Sequence, residues 1–240
     1  MPIPPAPEPT NPRHARLRRF IRGWVHPFAL AAAILLPVRA SIADWNDVPS
    51  GSMRPTIVEG DRIVVNKLAF GLRVPFTTTW LARWDYPDRG QIVTLASPAD
   101  GIRLVKRVAA IAGDTVELRK NLLYINGQLA TATLVGALPP ARLPDGRTTP
   151  MEESTELLGT RRHAIALTPA LASKRDFGPV TVPQGTIFVL GDNRDQSRDS
   201  RYLGFAPVST VYGSVPAVAF SLDRANFYVP RLGRTLKRLP

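Results

Sequence analysis

The sequence predicts an all-β domain of antiparallel sheets preceded by an N-terminal transmembrane helix. Short β-rich runs bounded by Gly, Pro or Asp recur from residue 62 to residue 190, as in antiparallel sheets rather than βαβ units. Asn126-Gly127 stands between Leu123-Tyr124-Ile125 and Gln128-Leu129, a strong hairpin signal, because the favoured two-residue turn needs positive φ at both positions. Near the N-terminus a run of arginines precedes an apolar stretch, the placement that keeps basic side chains on the cytoplasmic side of a membrane span.

Met1 to Pro12 is proline-rich and reads as an extended, unstructured arm. With Arg13, Arg16, Arg18, Arg19 and Arg22 it makes residues 1–23 a basic cytoplasmic segment. From Phe28 to Val38 the chain is apolar but short of the roughly 20 residues a membrane helix needs. Extending the segment to residues 24–43 brings it near that length at the cost of including Pro27, Pro37 and Arg39, the last of which can snorkel to the far interface. A cleavable export signal is the alternative, with Ser41-Ile42-Ala43 as a small-x-small cleavage site. Both readings place the residues after about 44 outside the cytoplasm.

Strands are expected over Arg62 to Asn66, Gln91 to Leu95, Ile102 to Ile111, Thr115 to Leu118, Leu122 to Ile125 and Thr186 to Leu190. From about Ala130 to Gly178 motifs stop and Pro, Thr, Arg and Ala dominate. Phe70, Phe76, Trp80 and Trp84 are spaced among polar residues and suit either a lipid interface or a strand face. Arg224, Arg231, Arg234, Lys237 and Arg238 form a basic C-terminal cluster that reads as a solvated or lipid-facing tail.

Composition removes several function classes. The 240 residues contain no cysteine and three scattered histidines, which rules out disulfides and thiolate metal sites and argues against a histidine-rich metal site. No Gly-rich phosphate loop is present, and no nucleotide cofactor is implied. The net charge of +12 asks for an anionic partner. No helix-turn-helix, zinc-finger or RNA-binding signature points to nucleic acid, which leaves membrane lipids as the partner.

Chemistry concentrates in three short blocks, Ser50-Gly51-Ser52-Met53-Arg54-Pro55, Arg103-Leu104-Val105-Lys106-Arg107-Val108 and Gly191-Asp192-Asn193-Arg194-Asp195. A serine hydroxyl needs a neighbour to take its proton as it attacks a carbonyl. His14, His26 and His163 lie in no catalytic-looking motif, so the base falls to lysine. A lysine serves only when burial lowers its pKa by several units. On a strand of period two, Ile102, Leu104, Lys106 and Val108 share one face, with Arg103, Val105 and Arg107 on the other. Lys106 therefore falls among apolar neighbours. The bland alternatives are a surface lysine on a solvated strand for Lys106, turns at Pro49-Ser50-Gly51 and at Gly191 to Asp195, and a solvated charge cluster, the preferred reading for Arg194 and Arg198.

Pro49 to Ile57, Gly60-Asp61-Arg62-Ile63-Val64-Val65, Val105 to Val108 with Gly113-Asp114, and Gly191 to Tyr202 with Gly204 together resemble the type I signal peptidases. That resemblance implies an all-β antiparallel catalytic domain over 44–240 with a variable inserted lobe at about 130–178, and an uncleaved anchor over 24–43. It implies a single-pass protein of the inner (plasma) membrane whose catalytic domain is periplasmic. Ser52 would be the nucleophile, Lys106 the general base, Ser50 part of the oxyanion hole, and Ser197 the residue that orients the amine. Asp199 and Arg201 would be a supporting ion pair. Val48, Met53, Leu104 and Val105 flank these residues and would line shallow pockets for alanine-sized side chains, whereas Ile57 reads as core. The partners would be the signal peptides of exported preproteins, with no cofactor and no metal. Trp45-Asn46-Asp47 departs from the more apolar approach usual in the family and bears on substrate range. A specialised relative with one dedicated substrate, such as a pilin-maturation peptidase of a conjugation system, is the nearest alternative. A catalytically silent peptide-binding β-domain is a further one, disfavoured by the intact Ser50, Ser52, Lys106 and Ser197.

Overall fold

The computed structural model describes residues 21–74, 77, 79–130, 132–143 and 146–240. Expectations for residues 1–20 and for Phe76 lie outside them. The first half carries β1 (Ala43–Asp47), β2 (Asp61–Asn66), β3 (Gly71–Arg73), β4 (Trp80–Arg83), β5 (Ile92–Ala96), β6 (Arg103–Ile111), β7 (Thr115–Arg119), β8 (Leu122–Ile125) and β9 (Gln128–Leu129). The second half carries β10 (Ala132–Arg142), β11 (Thr148–Leu158), β12 (Arg161–Leu167), β13 (Phe177–Thr181), β14 (Thr186–Leu190), β15 (Ala206–Pro207), β16 (Val211–Asp223) and β17 (Val229–Pro230). Two α-helices are described, α1 (His26–Ser41) and the single turn α2 (Ser200–Leu203).

Strand pairing between these elements is antiparallel throughout. The main sheet runs β1-β2-β16-β5-β6-β14-β15, with β17 beside β16. A second sheet runs β13-β7-β8-β9, a third β10-β11-β12, and β3 pairs with β4. The Asn126-Gly127 turn joins β8 to β9, with Asn126 at φ 53° and Gly127 at 77°, as an Asn-Gly hairpin requires.

Apolar faces build three large core clusters, beside a small fourth of Ala141, Met151 and Ala166 in the third sheet. Ala109, Ala110, Phe188 and Leu190 of the main sheet meet Val116, Leu118 and Leu123 of the second sheet. Phe70, Val93, Leu95, Val108 and Val189 pack in a second cluster. Val48, Met53 and Ile57 pack on Ile63, Val65, Ile92, Val215 and Val218 in a third, and each fully buried aliphatic of this kind contributes about 2 kcal/mol.

β6 corrects the simple alternation expected of it. Ile102, just before the strand, is 62% exposed, while Arg107 is 1% exposed. Both edges of the strand are paired, with β5 and β14, and both of its faces are covered, since Ala109 and Ala110 lie in the first core and Val108 in the second. A register shift against β14, where Ala110 and Val108 face Phe188 and Val189, places both Ala109 and Ala110 in the first core.

α1 has 16 residues and runs directly towards β1. Among the described residues no helix is long and apolar enough to cross a membrane. The stretch 130–178 supplies the β10-β11-β12 sheet. β12 docks on the segment after β14, where Ala166 N–H donates to Asp192 O at 2.8 Å.

The aromatics read as one group take three separate places. Phe70 is core, Trp80 is half-buried beneath the Arg73 guanidinium, and Trp84 is exposed with its Nε1 donating to Leu68 O. The C-terminal cluster is not a free tail. Arg224 pairs with Asp47, Arg231 with Asp223 and Arg234 with Asp61, while Lys237 and Arg238 are exposed.

Candidate active site

Residues 48–61 form a loop closed at its base, where Val48 N–H donates to Asp61 O at 3.1 Å and Gly60 N–H to Val48 O at 3.3 Å. Met53 and Ile57, 1% and 0% exposed, anchor it in the core, and Ile57 N–H donates to Met53 O at 2.9 Å. Ser52 rides on this anchored turn. Its backbone is gripped from the far side by the segment after β14, for Asn193 N–H donates to Ser52 O at 3.0 Å and Asn193 Nδ2 to Gly51 O at 3.0 Å.

Lys106 extends from β6 towards this loop. Its Nζ lies 2.7 Å from Ser52 Oγ and donates to Val105 O at 3.1 Å. The side chain is 3% exposed, and burial pushes its pKa down to about 8. Asp199 and Asp192 pull the other way, and Arg201 lowers it further. Each carboxylate already has its own arginine. Arg107 Nε and Nη2 donate to Asp192 at 2.8 and 2.7 Å, and Arg201 Nε and Nη2 to Asp199 at 2.8 and 2.9 Å. These four side chains are buried, so the amine sits beside two neutralised pairs rather than beside a net negative charge.

Ser50 is exposed, with its Oγ 3.5 Å from Ser52 Oγ. Ser197 is buried, but its Oγ makes no hydrogen bond to Lys106 or to any other described residue. It lies against Gly191, where an added Cβ would sit 2.2 Å from Ser197 Oγ and 2.5 Å from Ser52 O. Val48, Met53, Leu104 and Val105 come together with Ser50, Ser52 and Lys106 around a cleft of about 320 Å³. Asn46, Asp47 and Arg103 line it too, and Arg103 Nη1 donates to Asn46 Oδ1 at 3.1 Å across it. A larger cleft of about 580 Å³, lined by Pro55, Val58, Leu138 and Met151 among others, holds neither Ser52 nor Lys106. Among the described residues no three His, Asp or Glu side chains group as metal ligands.

Arg198 is exposed as expected, but Arg194 is not solvated: it is 1% exposed and paired with Glu156 of β11. His163 of β12, also buried, places Nε2 3.3 Å from Glu156 Oε2. Burial would raise the Glu156 pKa, but Arg194 outweighs it and holds the carboxyl down at about 2. Sequence reasoning missed this pair, and also Asn193 and the Arg107–Asp192 pair. A charge predicted on a covered strand demands a partner, and that rule would have drawn Arg107 to Asp192.

A serine hydroxyl facing a buried amine of lowered pKa, set on an antiparallel frame beside a peptide-sized cleft, defines a serine peptidase. The family description "Signal peptidase, peptidase S26" matches residues 21–220. A signal peptidase I of Pseudomonas aeruginosa is 36% identical over 200 residues, covering 78% of this chain and 68% of its own. One from Pseudomonas fluorescens is 33% identical over 214 residues, with 84% and 73% covered. A solved signal peptidase I from Enterococcus faecalis has 30% sequence identity and a TM-score of 0.32, with 54% of this chain and 97% of that one covered. The chain belongs to the signal peptidase family, peptidase S26.

Proposed function

We propose that this chain removes N-terminal signal peptides from exported preproteins, cutting after small residues through an acyl-enzyme on Ser52. The observation that carries the reading is the 2.7 Å approach of the buried Lys106 amine to Ser52 Oγ. With a pKa of about 8, roughly a tenth of the enzyme holds the amine neutral at pH 7. The neutral amine takes the Ser52 proton as Oγ attacks the scissile carbonyl, and the ammonium so formed protonates the leaving amine. The Ser50 hydroxyl and the Ser52 N–H serve the oxyanion, a donor of this kind being worth about 3 kcal/mol. Lys106 then activates water to release the signal peptide. Ser197 Oγ, an unused buried hydroxyl beside Ser52, would turn to the amine and steady it as it cycles. Val48, Met53, Leu104 and Val105 take the small side chains before the scissile bond. Asp199 and Arg201 hold Gly191 in place, since Gly191 N–H donates to Asp199 Oδ2 at 3.0 Å. We further propose that α1 belongs to a membrane anchor over 24–43, which leaves 44–240 on the periplasmic side of the inner membrane and 1–23 in the cytoplasm.

The test is cleavage of a preprotein with an Ala-x-Ala junction by the detergent-solubilised full chain across pH 6 to 10. Wild type is expected to cut after the second Ala, with activity rising through pH about 8 as Lys106 loses its proton. Ser52→Ala and Lys106→Ala are expected to be inactive; near-normal activity in either would remove that residue from its role.

A further inference from the structure

The family match ends at residue 220, yet the chain beyond it reaches back to the loop that carries Ser52. After β16 it turns through 223–228 and returns along the β16 edge. Val218 N–H donates to Lys237 O at 2.9 Å, Leu236 N–H to Ala219 O at 3.2 Å and Leu239 N–H to Pro216 O at 2.9 Å. From this returning strap two guanidinium groups take hold of residues 56–61. Arg234 Nε and Nη2 donate to Asp61 Oδ1 and Oδ2 at 3.1 and 2.6 Å, and Nη2 also donates to Thr56 O at 2.9 Å. Arg231 Nη1 donates to Glu59 O at 3.2 Å.

Asp61 is fully buried, and its Oδ2 also accepts the Val58 N–H at 3.0 Å. One carboxylate thus joins the exit limb of the loop to the strap. Burial would raise the Asp61 pKa, but the Arg234 bond and its neighbours hold it below the usual carboxylate range. Backbone contact closes the joint: Leu222 N–H donates to Gly60 O at 3.0 Å, and a Cβ on Gly60, whose φ is 88°, would fall 2.1 Å from Leu222 O.

We propose that residues 221–240 are a strap that positions Ser52, with Arg234 a positioning residue acting through Asp61 and Thr56. The inference rests on Ser52 being the nucleophile. Lys106 sits on β6, which receives neither Arg231 nor Arg234; the strap reaches β6 at its end, where Arg107 Nη1 donates to Pro240 O at 3.3 Å. Releasing Arg234 from Asp61 and Thr56 loosens the loop that carries Ser52 while the Arg107 contact with Pro240 stays in place, so Ser52 Oγ shifts relative to Nζ and the base keeps its Arg107–Asp192 pair. A displacement of about 1 Å at a reacting atom costs on the order of a hundredfold in rate.

The experiment compares Arg234→Ala, Arg234→Lys and Arg238→Ala with wild type and Ser52→Ala in the detergent-solubilised full chain, measuring kcat, KM and the pH profile on the same preprotein. Arg234→Ala is expected to lower kcat at least tenfold, with KM within about threefold and the inflection near pH 8 retained. Arg234→Lys keeps a charge for Asp61 but cannot also hold Thr56 O in the same fork, and is expected to recover part of kcat. Arg238 lies on the same strap with its side chain exposed, and its alanine variant is expected to stay within twofold of wild type. A folded Arg234→Ala with kcat within threefold of wild type overturns the inference. So does a loss of activity carried by KM or by a displaced inflection. Should the alanine variant fail to fold, Arg234→Lys and Arg231→Ala decide by the same readings. Activity in Ser52→Ala would instead remove the reading on which the inference rests, whereas an inactive Ser52→Ala beside an unchanged Arg234→Ala removes the strap alone.

Discussion

Two carboxylates, Asp192 and Asp199, lie near enough to Lys106 to favour its ammonium form, and burial still prevails because each is claimed by a bidentate arginine. The tuning therefore depends on side chains that never touch Ser52. Gly191 acts at closer range. It lies between the Ser197 hydroxyl and the Ser52 carbonyl, and its φ is not positive, so the demand for glycine there is one of space alone. Gly191→Ala is expected to lower kcat/KM by ten- to a hundredfold, since the new methyl must push on the Ser52 backbone. Adding Ser197→Ala relieves the contact with Oγ at 2.2 Å but leaves Ser52 O at 2.5 Å, so the double variant should recover little. Steady-state kinetics on both variants checks this, and a Gly191→Ala enzyme with half the wild-type kcat/KM would show that the backbone there yields freely.

The side chains proposed as catalytic come from three elements: the 48–61 loop, β6 and the segment after β14. Those elements were legible in the sequence because each carries its own local signal, a Pro-Ser-Gly turn, an apolar run or a Gly-Asp-Asn turn. What holds them together was not legible. Arg107 and Arg194 read as surface charges because local pattern cannot show that a strand is covered on both faces or that another sheet brings a carboxylate. Glu156 lies 38 residues before Arg194, in the stretch that local patterning left without motifs, and only the docking of β11 and β12 puts the two in contact. Removing one partner of such a pair leaves a buried charge uncompensated, so Glu156→Gln is expected to cost roughly 3–5 kcal/mol in urea unfolding. Its pH dependence has a definite sign. The Glu156 pKa is held down to about 2 from 4.5, so its contribution is complete above pH 4.5 and lost as pH falls towards 2. Wild type should therefore lose its advantage over the variant across that window, and equal stability of the two at pH 7 would mean that Arg194 finds another counter-charge.

Across the whole molecule, antiparallel architecture followed from the spacing of short β-rich runs, but sheet order did not, because β16 lies between β2 and β5 and no local pattern records that neighbour relation. The same global enclosure that lowers the Lys106 pKa, on which its proposed role as base depends, also opposes folding. In the unfolded chain this lysine titrates near 10.5, and in the folded protein near 8. Between those values the unfolded state binds more protons, so stability rises with pH from about 8 to about 10.5, and below pH 8 the full penalty applies. At 1.36 kcal/mol per pKa unit the penalty is about 3 kcal/mol, a sizeable share of the 5–15 kcal/mol that holds a typical domain together. Lys106→Met fills similar volume with no charge to desolvate. It is expected to be inactive, yet more stable than wild type at pH 7 by up to about 3 kcal/mol, with the difference shrinking as pH approaches 10.5. Denaturant titrations of both proteins at pH 7, 9 and 10.5 measure this directly. Parallel curves with no gain for the variant would mean that the amine is already hydrated in the folded state, and the low pKa that the mechanism requires would lose its physical source.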